Sequence, residues 1–144
     1  MDRRQKRSLR RPRAAASPVQ PEKPPTPRSW LWFRNERDGR QIAREEFDDI
    51  PAKERAGLAK KIDRYLKGES RYKDVDSLGD GILEIRHRVG SNHFRVLFML
   101  WGSHCVALTA FYKNQQATPK PDLERAKKRA ARWKTLFGEK PREG

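Results

Sequence analysis

Between Gly81 and Lys113 the chain reads as three strand-forming runs separated by two short glycine-containing turns, a pattern that leaves few folds open. From Leu83 the apolar period is two. Leu83, Ile85, His87 and Val89 fall on one face and Glu84, Arg86 and Arg88 on the other, the alternation of a half-buried strand. Gly90-Ser91-Asn92 turns the chain, and His93 to Trp101 is then apolar at nearly every position, as expected of a central strand covered on both faces. Gly102-Ser103 turns it again into His104–Lys113, a third β-branched and aromatic run. Runs joined this closely predict an antiparallel meander.

The flanks of the meander are mostly helical in pattern. Trp30-Leu31-Trp32-Phe33 is a short aromatic strand ended by the turn chemistry of Asp38-Gly39. Ile42, Phe47 and Ile50 mark one face of a short helix, and Pro51 then falls where a first helical turn tolerates it. Leu58, Ile62, Tyr65 and Leu66 continue a second helix to about Gly68, so the two make a helical hairpin. Residues 69–80 are polar and read as a connection. After a polar loop from Asn114 to Lys120, the residues Leu123, Ala126, Ala130, Trp133 and Phe137 step by three and four along a last helix, with Gly138 as its cap. The order strand, two helices, three antiparallel strands, helix predicts a small α+β domain with helices packed on a curved sheet.

Composition divides the chain unevenly. Residues 1–29 carry nine cations against two acids and six of the ten prolines, while all tryptophans, phenylalanines and tyrosines lie beyond them. The first 28 residues therefore read as a disordered basic tail, and residues 29–138 as one folded domain followed by a flexible end at 139–144. The tail is either an electrostatic arm for RNA or another polyanion or a dispensable extension, two alternatives that composition alone leaves open. With 144 residues there is no room for a second full domain. A single cysteine, Cys105, rules out an intramolecular disulfide, and no cluster of carboxylates, histidines and cysteines suggests a metal or other cofactor. No apolar stretch is long enough to span a membrane and no secretory signal is visible, so a cytoplasmic protein is expected.

The net charge of +15 points to a polyanionic partner, and its placement narrows the reading. Arg86 and Arg88 alternate onto one face, Arg95 interrupts the most hydrophobic strand, and Lys113 ends the last one. Arg86 and Arg88 could instead pair with a carboxylate such as Glu84 or lie at a wet edge. Arg95 has neighbours that imply burial, and a buried guanidinium needs a partner or a ligand. A two-residue turn at Ser91-Asn92 would set Arg88 opposite Arg95, whereas a three-residue turn would put them on different faces. On the last helix, Lys127, Lys128 and Arg132 belong to a cationic stripe that is either solvated surface or a phosphate-binding face.

Three segments carry a family resemblance: Gly81-Ile82-Leu83-Glu84-Ile85-Arg86, Asn92-His93-Phe94-Arg95-Val96-Leu97-Phe98, and Ala110-Phe111-Tyr112-Lys113-Asn114-Gln115-Gln116-Ala117-Thr118-Pro119. Together they resemble the HigB-like toxins of the RelE/ParE superfamily, in particular the mycobacterial type found in toxin–antitoxin–chaperone operons. The likeness covers roughly Ser29 to Phe137 and is most specific in the Phe-Tyr-Lys-Asn-Gln-Gln run.

The resemblance implies a RelE-like fold, cleavage of mRNA at the ribosome, neutralisation by a helix-turn-helix, HigA-like antitoxin, and a SecB-like chaperone acting through that antitoxin. It aligns Arg86 and Arg88 with the basic pair of the family's second strand and Arg95 with the arginine of the next. Lys113 matches the first lysine of a Lys-Lys dipeptide whose second member is here Asn114, a departure from the pattern. Metal-independent cleavage by a 2′-hydroxyl needs cations on the phosphorane and a separate proton carrier, since arginines are poor bases. Arg86, Arg88, Arg95, Lys113 and His93 are thus the expected catalytic set, with Tyr112, Asn114, Lys127, Lys128 and Arg132 as RNA contacts. His87, His104, Tyr112 and Lys113 also stay open as proton carriers. Arg95→Ala is expected to abolish cutting in a folded protein. Two other readings fit the charge: a ParE-like gyrase poison and a noncatalytic RNA-binding module.

Overall fold

The computed structural model describes residues 29–142; the expected tail at 1–28 lies outside them. The chain runs β1 (Ser29–Trp32), α1 (Ile42–Asp48), α2 (Ala52–Leu66), β2 (Val75–Gly79), β3 (Ile82–Val89), β4 (Asn92–Trp101), β5 (His104–Lys113) and α3 (Lys120–Phe137). The five strands form one sheet in the order β1-β5-β4-β3-β2. The α+β architecture, the helical hairpin and the last helix agree with the sequence, but the sheet departs from it twice.

The first departure is β2, which forms within the polar connection and pairs antiparallel with β3. Val75 and Leu78 are its only sizeable apolar residues, too few to show a period of two. The second is β1, which pairs parallel with β5, so the sheet is mixed rather than wholly antiparallel. A parallel neighbour requires a crossover. Here the α1–α2 hairpin and strands β2, β3 and β4 lie between the two partners in sequence.

Alternation along the strands builds two cores. Ile85, Phe94, Val96 and Phe98 face the helical hairpin and meet Phe47, Ile50, Leu58 and Ile62. Leu97, Met99, Val106 and Leu108 face α3 and meet Ala126, Ala130 and Trp133. Each large side chain buried in this way contributes about 1.5–3 kcal/mol. Cys105 is buried in the first core, as its apolar neighbours suggest. A register shift between Leu97 and Phe98 marks a bulge against β5, a local bend in the central pair.

β1 covers only the first half of the β5 edge, from His104 to Ala107. The second half is closed by side chains. Glu46 of α1 accepts the Thr109 hydroxyl at 2.7 Å and the Ala110 N–H at 3.3 Å, and Arg129 of α3 donates to the Leu108 carbonyl at 2.8 Å while pairing with Glu46 at 2.9 Å. An edge that would otherwise carry unpaired backbone groups is thus satisfied. After α3, the Gly138 carbonyl accepts the Trp101 indole N–H at 2.9 Å, and Pro141 lies against Gly102, so part of the segment expected to be a loose end packs on the β4–β5 turn.

His87 lies on the hairpin face of β3, against Gly57 of α2. A Cβ at Gly57 would stand 2.5 Å from the imidazole Nε2, so glycine is what lets helix and strand approach here. We predict that Gly57→Ala destabilises the wild-type protein by about 1–2 kcal/mol, as overpacking does. In a His87→Ala background the same change should stabilise by about 0.5–1 kcal/mol through helix propensity. Urea unfolding of the four proteins checks this reversal of sign.

Candidate functional site

The β3–β4 turn decides which charges meet. It consists of Gly90 and Ser91, with Val89 paired to Asn92, so Arg88 lies opposite His93 and Arg86 opposite Arg95. The sequence alternatives placed the turn one residue later or made it one residue longer; the left-handed backbone of Gly90, at φ 61°, is what fixes its start. On the other side of β4, His93 pairs with Lys113 and Arg95 with Phe111. All five residues expected to be catalytic therefore share the sheet face that α3 covers, in two adjacent cross-strand rows.

The inner row is structural. Arg95 has no exposed surface, and its guanidinium donates to the carbonyls of Gln115 at 2.6 Å, Gln116 at 2.5 Å and Ala117 at 3.1 Å. Its Nε lies 3.5 Å from the carboxylate of Glu84, which is also buried and accepts the Thr118 hydroxyl at 2.6 Å. Arg86 joins this group. It donates to the Gln116 carbonyl at 2.9 Å and to Asp76 at 3.1 Å, with Glu84 at 3.6 Å. Arg95 was expected to bracket a phosphate; in this structure its partners are internal and its side chain has no exposed surface. Arg86 keeps a quarter of its side chain exposed and is the only one of the two that reaches solvent.

The outer row carries exposed cations on either side of a buried histidine. Arg88 is exposed and its Nε donates only locally, to the Gly90 carbonyl at 2.8 Å. Lys113 is half exposed, and its Nζ stands 4.0 Å from the buried carboxylate of Asp122, which is held more closely by Arg125. Between these cations lies His93, 5% exposed, with an Nδ1 that has no hydrogen-bond partner. Burial, and then the charges of Arg95, Arg86 and Arg88, hold this imidazole below its ordinary value of 6.5, so it is neutral at pH 7. A neutral, proton-accepting ring flanked by two cations across three strands is the arrangement that cation-assisted proton transfer needs.

The remaining expected contacts are scattered. Asn114 is exposed and follows Lys113 just beyond the end of β5. Tyr112 lies on the opposite face, where its ring packs on Phe94 with centroids 5.0 Å apart, although half of it reaches solvent. On α3, Lys127 pairs with Asp80 at 3.1 Å and Arg132 with Glu36, in different directions, while Lys128 is exposed. The stripe is thus not a single surface continuous with the strand ends. His87 packs under Gly57 and His104 beside Trp101, both away from the outer row. No group of three or more potential metal ligands is found among the described residues, and none of their helices is long and apolar enough to cross a membrane.

Sequence reasoning passed over Lys61 of α2. Its Nζ donates at 2.6 Å to the carbonyl of Arg86, beyond the point where β2 stops pairing with β3. Nothing in the sequence marks it, because only the short β2 leaves that carbonyl in need of a donor. The buried role of Glu84 was partly visible, since an acid two residues from Arg86 shares its face.

The class to which this small α+β domain belongs follows from its sequence matches. The chain belongs to the HigB-like toxins of the RelE/ParE superfamily, and its residues 45–131 match the family described as phage-derived protein Gp49-like (DUF891). Among individual relatives, "Probable endoribonuclease HigB1" of Mycobacterium tuberculosis, in strains CDC 1551 / Oshkosh and ATCC 25618 / H37Rv, is 46% identical over 121 residues, 82% of this chain and 97% of the relative.

Two predictions follow from the rows. Arg95→Ala removes one side of a buried ion pair and takes a donor from three carbonyls, of which that of Gln116 keeps Arg86, so it should cost about 3–5 kcal/mol, whereas Arg88→Ala should change stability by no more than about 0.5 kcal/mol. Urea denaturation separates the two, and an Arg95→Ala protein as stable as the wild type contradicts the assignment. For pH, His93 and His87 are both lowered from 6.5 by burial first. Below that value the unfolded chain binds protons that the folded chain refuses, so their contribution is complete above pH 6.5 and is lost as pH falls. Unfolding free energies between about pH 7.5 and about pH 5.5 should decline, and His93→Gln should flatten the slope.

Proposed function

We propose that this chain is the toxin of a toxin–antitoxin pair, an endoribonuclease that cuts mRNA at the ribosome. The observation that carries the reading is the outer row, in which Arg88, His93 and Lys113 are cross-strand neighbours on one face. The 46% identity to a relative named as a probable endoribonuclease supports it.

In the proposed reaction the neutral His93 receives the proton of the 2′-hydroxyl as its oxygen attacks the adjacent phosphorus. Arg88 and Lys113 take the charge that grows on the phosphorane oxygens, a task for fixed cations that requires no metal. Arg86, partly exposed behind them, adds to the field. The proton then passes to the departing 5′-oxygen, which leaves a 2′,3′-cyclic phosphate. Arg95 is a positioning residue: by holding residues 115–117 it fixes the chain that follows Lys113 and Asn114. Asn114 contacts RNA beside the row, and Tyr112, Lys127, Lys128 and Arg132 make only peripheral contacts from other faces. A helix-turn-helix antitoxin neutralises the toxin, with a SecB-like chaperone acting through the antitoxin in the cytoplasm.

The test is incubation of the full chain with translating ribosomes, followed by mapping of message ends. Discrete cuts are expected, and Arg88→Ala should slow them by about 100-fold, the typical effect of losing one transition-state donor. The acid limb of the rate should lie below pH 6.5 and vanish in His93→Gln, because the lowered imidazole must be neutral to accept a proton. Gyrase–DNA adducts without RNA cuts would assign the chain to the ParE-like poisons instead, and RNA binding without either would make it a noncatalytic module.

A further inference from the structure

The most exposed large aromatic side chain among the described residues is Tyr72, at 90%, and it stands in a turn that is unusually well anchored. The Asp74 N–H closes the turn on the Arg71 carbonyl at 3.0 Å, and the Asp74 carboxylate accepts the Arg71 N–H at 2.9 Å. That carboxylate is buried and is gripped by Arg64 of α2 through two bonds of 2.9 Å. The Arg64 hydrogen bonds hold Asp74 well below the usual carboxylate range. Lys73 completes the turn in the left-handed region, at φ 67°, a conformation that costs a lysine energy. A firmly held turn with a strained residue thus presents an aromatic ring that gains no burial from the fold.

The position of the turn points to its ligand. β2 starts with Val75 opposite Ile85, so the chain reaches it from the Arg86 end of β3. Lys61 spans the gap: it bonds the Arg86 carbonyl and lies within the fields of Asp74, Arg64 and Arg86 together. Around the ring, Arg71 and Lys73 are exposed, and the Lys73 ammonium lies 5.5 Å from the ring centroid. Among the described residues its chain neighbours are the exposed Arg71 and Lys73, not the apolar rim that shields an aromatic anchor in a protein interface. An aromatic face among cations is instead the composition of a stacking platform for single-stranded nucleic acid.

We propose that Tyr72 is a base-stacking subsite for single-stranded RNA, with Arg71 and Lys73 on the flanking phosphates, so that a nucleotide next to the scissile linkage is held at the β2–β3 edge. This rests on the ribonuclease reading above, but it concerns binding and can be measured apart from cutting. The probe is a short single-stranded RNA with every 2′-hydroxyl methylated, which removes the nucleophile and leaves phosphates and bases in place.

With the full chain, Tyr72→Ala should weaken binding of this probe by roughly 5- to 100-fold, the range for one lost base stack, while Tyr72→Phe and Tyr72→Trp keep wild-type affinity. On translating ribosomes Tyr72→Ala should raise the message concentration for half-maximal cutting and leave the maximal rate close to wild type. If Tyr72→Ala binds the methylated probe as the wild type does, the subsite is overturned whether or not the protein cuts RNA. It is equally overturned if that variant loosens the antitoxin complex and not the RNA complex. If the wild type cuts no message but loses probe affinity on Tyr72→Ala, the nuclease reading fails and the subsite stands.

Discussion

A guanidinium buried without compensation would unfold a domain of this size, and here the compensation shapes everything near the site. Arg95 draws the carbonyls of Gln115, Gln116 and Ala117 onto the sheet, and Glu84 balances its charge while taking the Thr118 hydroxyl. The loop after β5 is therefore folded around a charge and not around an apolar plug. Because that loop leads directly into α3 at Lys120, the same contacts set where the last helix begins and hence where Asp122 meets Lys113 and Arg125. The run Phe111 to Gln116 ends in two of the three residues whose backbone forms this cage.

Charge balance also explains how so many cations share one face. Asp76 and Glu84 neutralise the inner pair, Arg86 and Arg95, and Asp122 is divided between Arg125 and Lys113. Arg88 has no acidic partner among the described ion pairs, so the excess of positive charge appears at the outer row, where solvent or an anion can meet it. The same excess, with burial, keeps His93 neutral. An acid placed beside Arg88 would cancel both effects: it would reduce the field offered to a phosphate and raise the proton affinity of the imidazole.

Much of this was legible in the residues, for identifiable reasons. The period-two alternation from Leu83 to Val89 placed Arg86 and Arg88 on one face, and the apolar run around Arg95 signalled its burial. What a buried arginine bonds to was not legible, because backbone carbonyls carry no sequence label. The pairing of Arg86 with Arg95 depended on whether the turn began at Gly90 or Ser91, a choice made by backbone geometry at one residue. β2 escaped notice since five residues with two apolar side chains carry no detectable period, and with it went the positions of Asp76, Lys61 and Tyr72. Tyr112 and its neighbour Lys113 were both named as site residues, and the strand separates them, since adjacent strand residues point to opposite faces.

The two rows divide labour in a way that follows from their depth. Hydrogen bonds to a charged group strengthen as solvent is excluded, so a caged Arg95 suits a structural role and is poorly placed for an exchangeable ligand. One row further along, at the end of β3 and β5, the strands run out, solvent enters, and cations there lose little on exchanging water for phosphate. Moving two residue pairs along a hairpin thus converts the same side-chain chemistry from scaffold to contact surface. The strand ends are where this fold can present charge without having to neutralise it internally, and Arg88 and Lys113 occupy them on either side of His93.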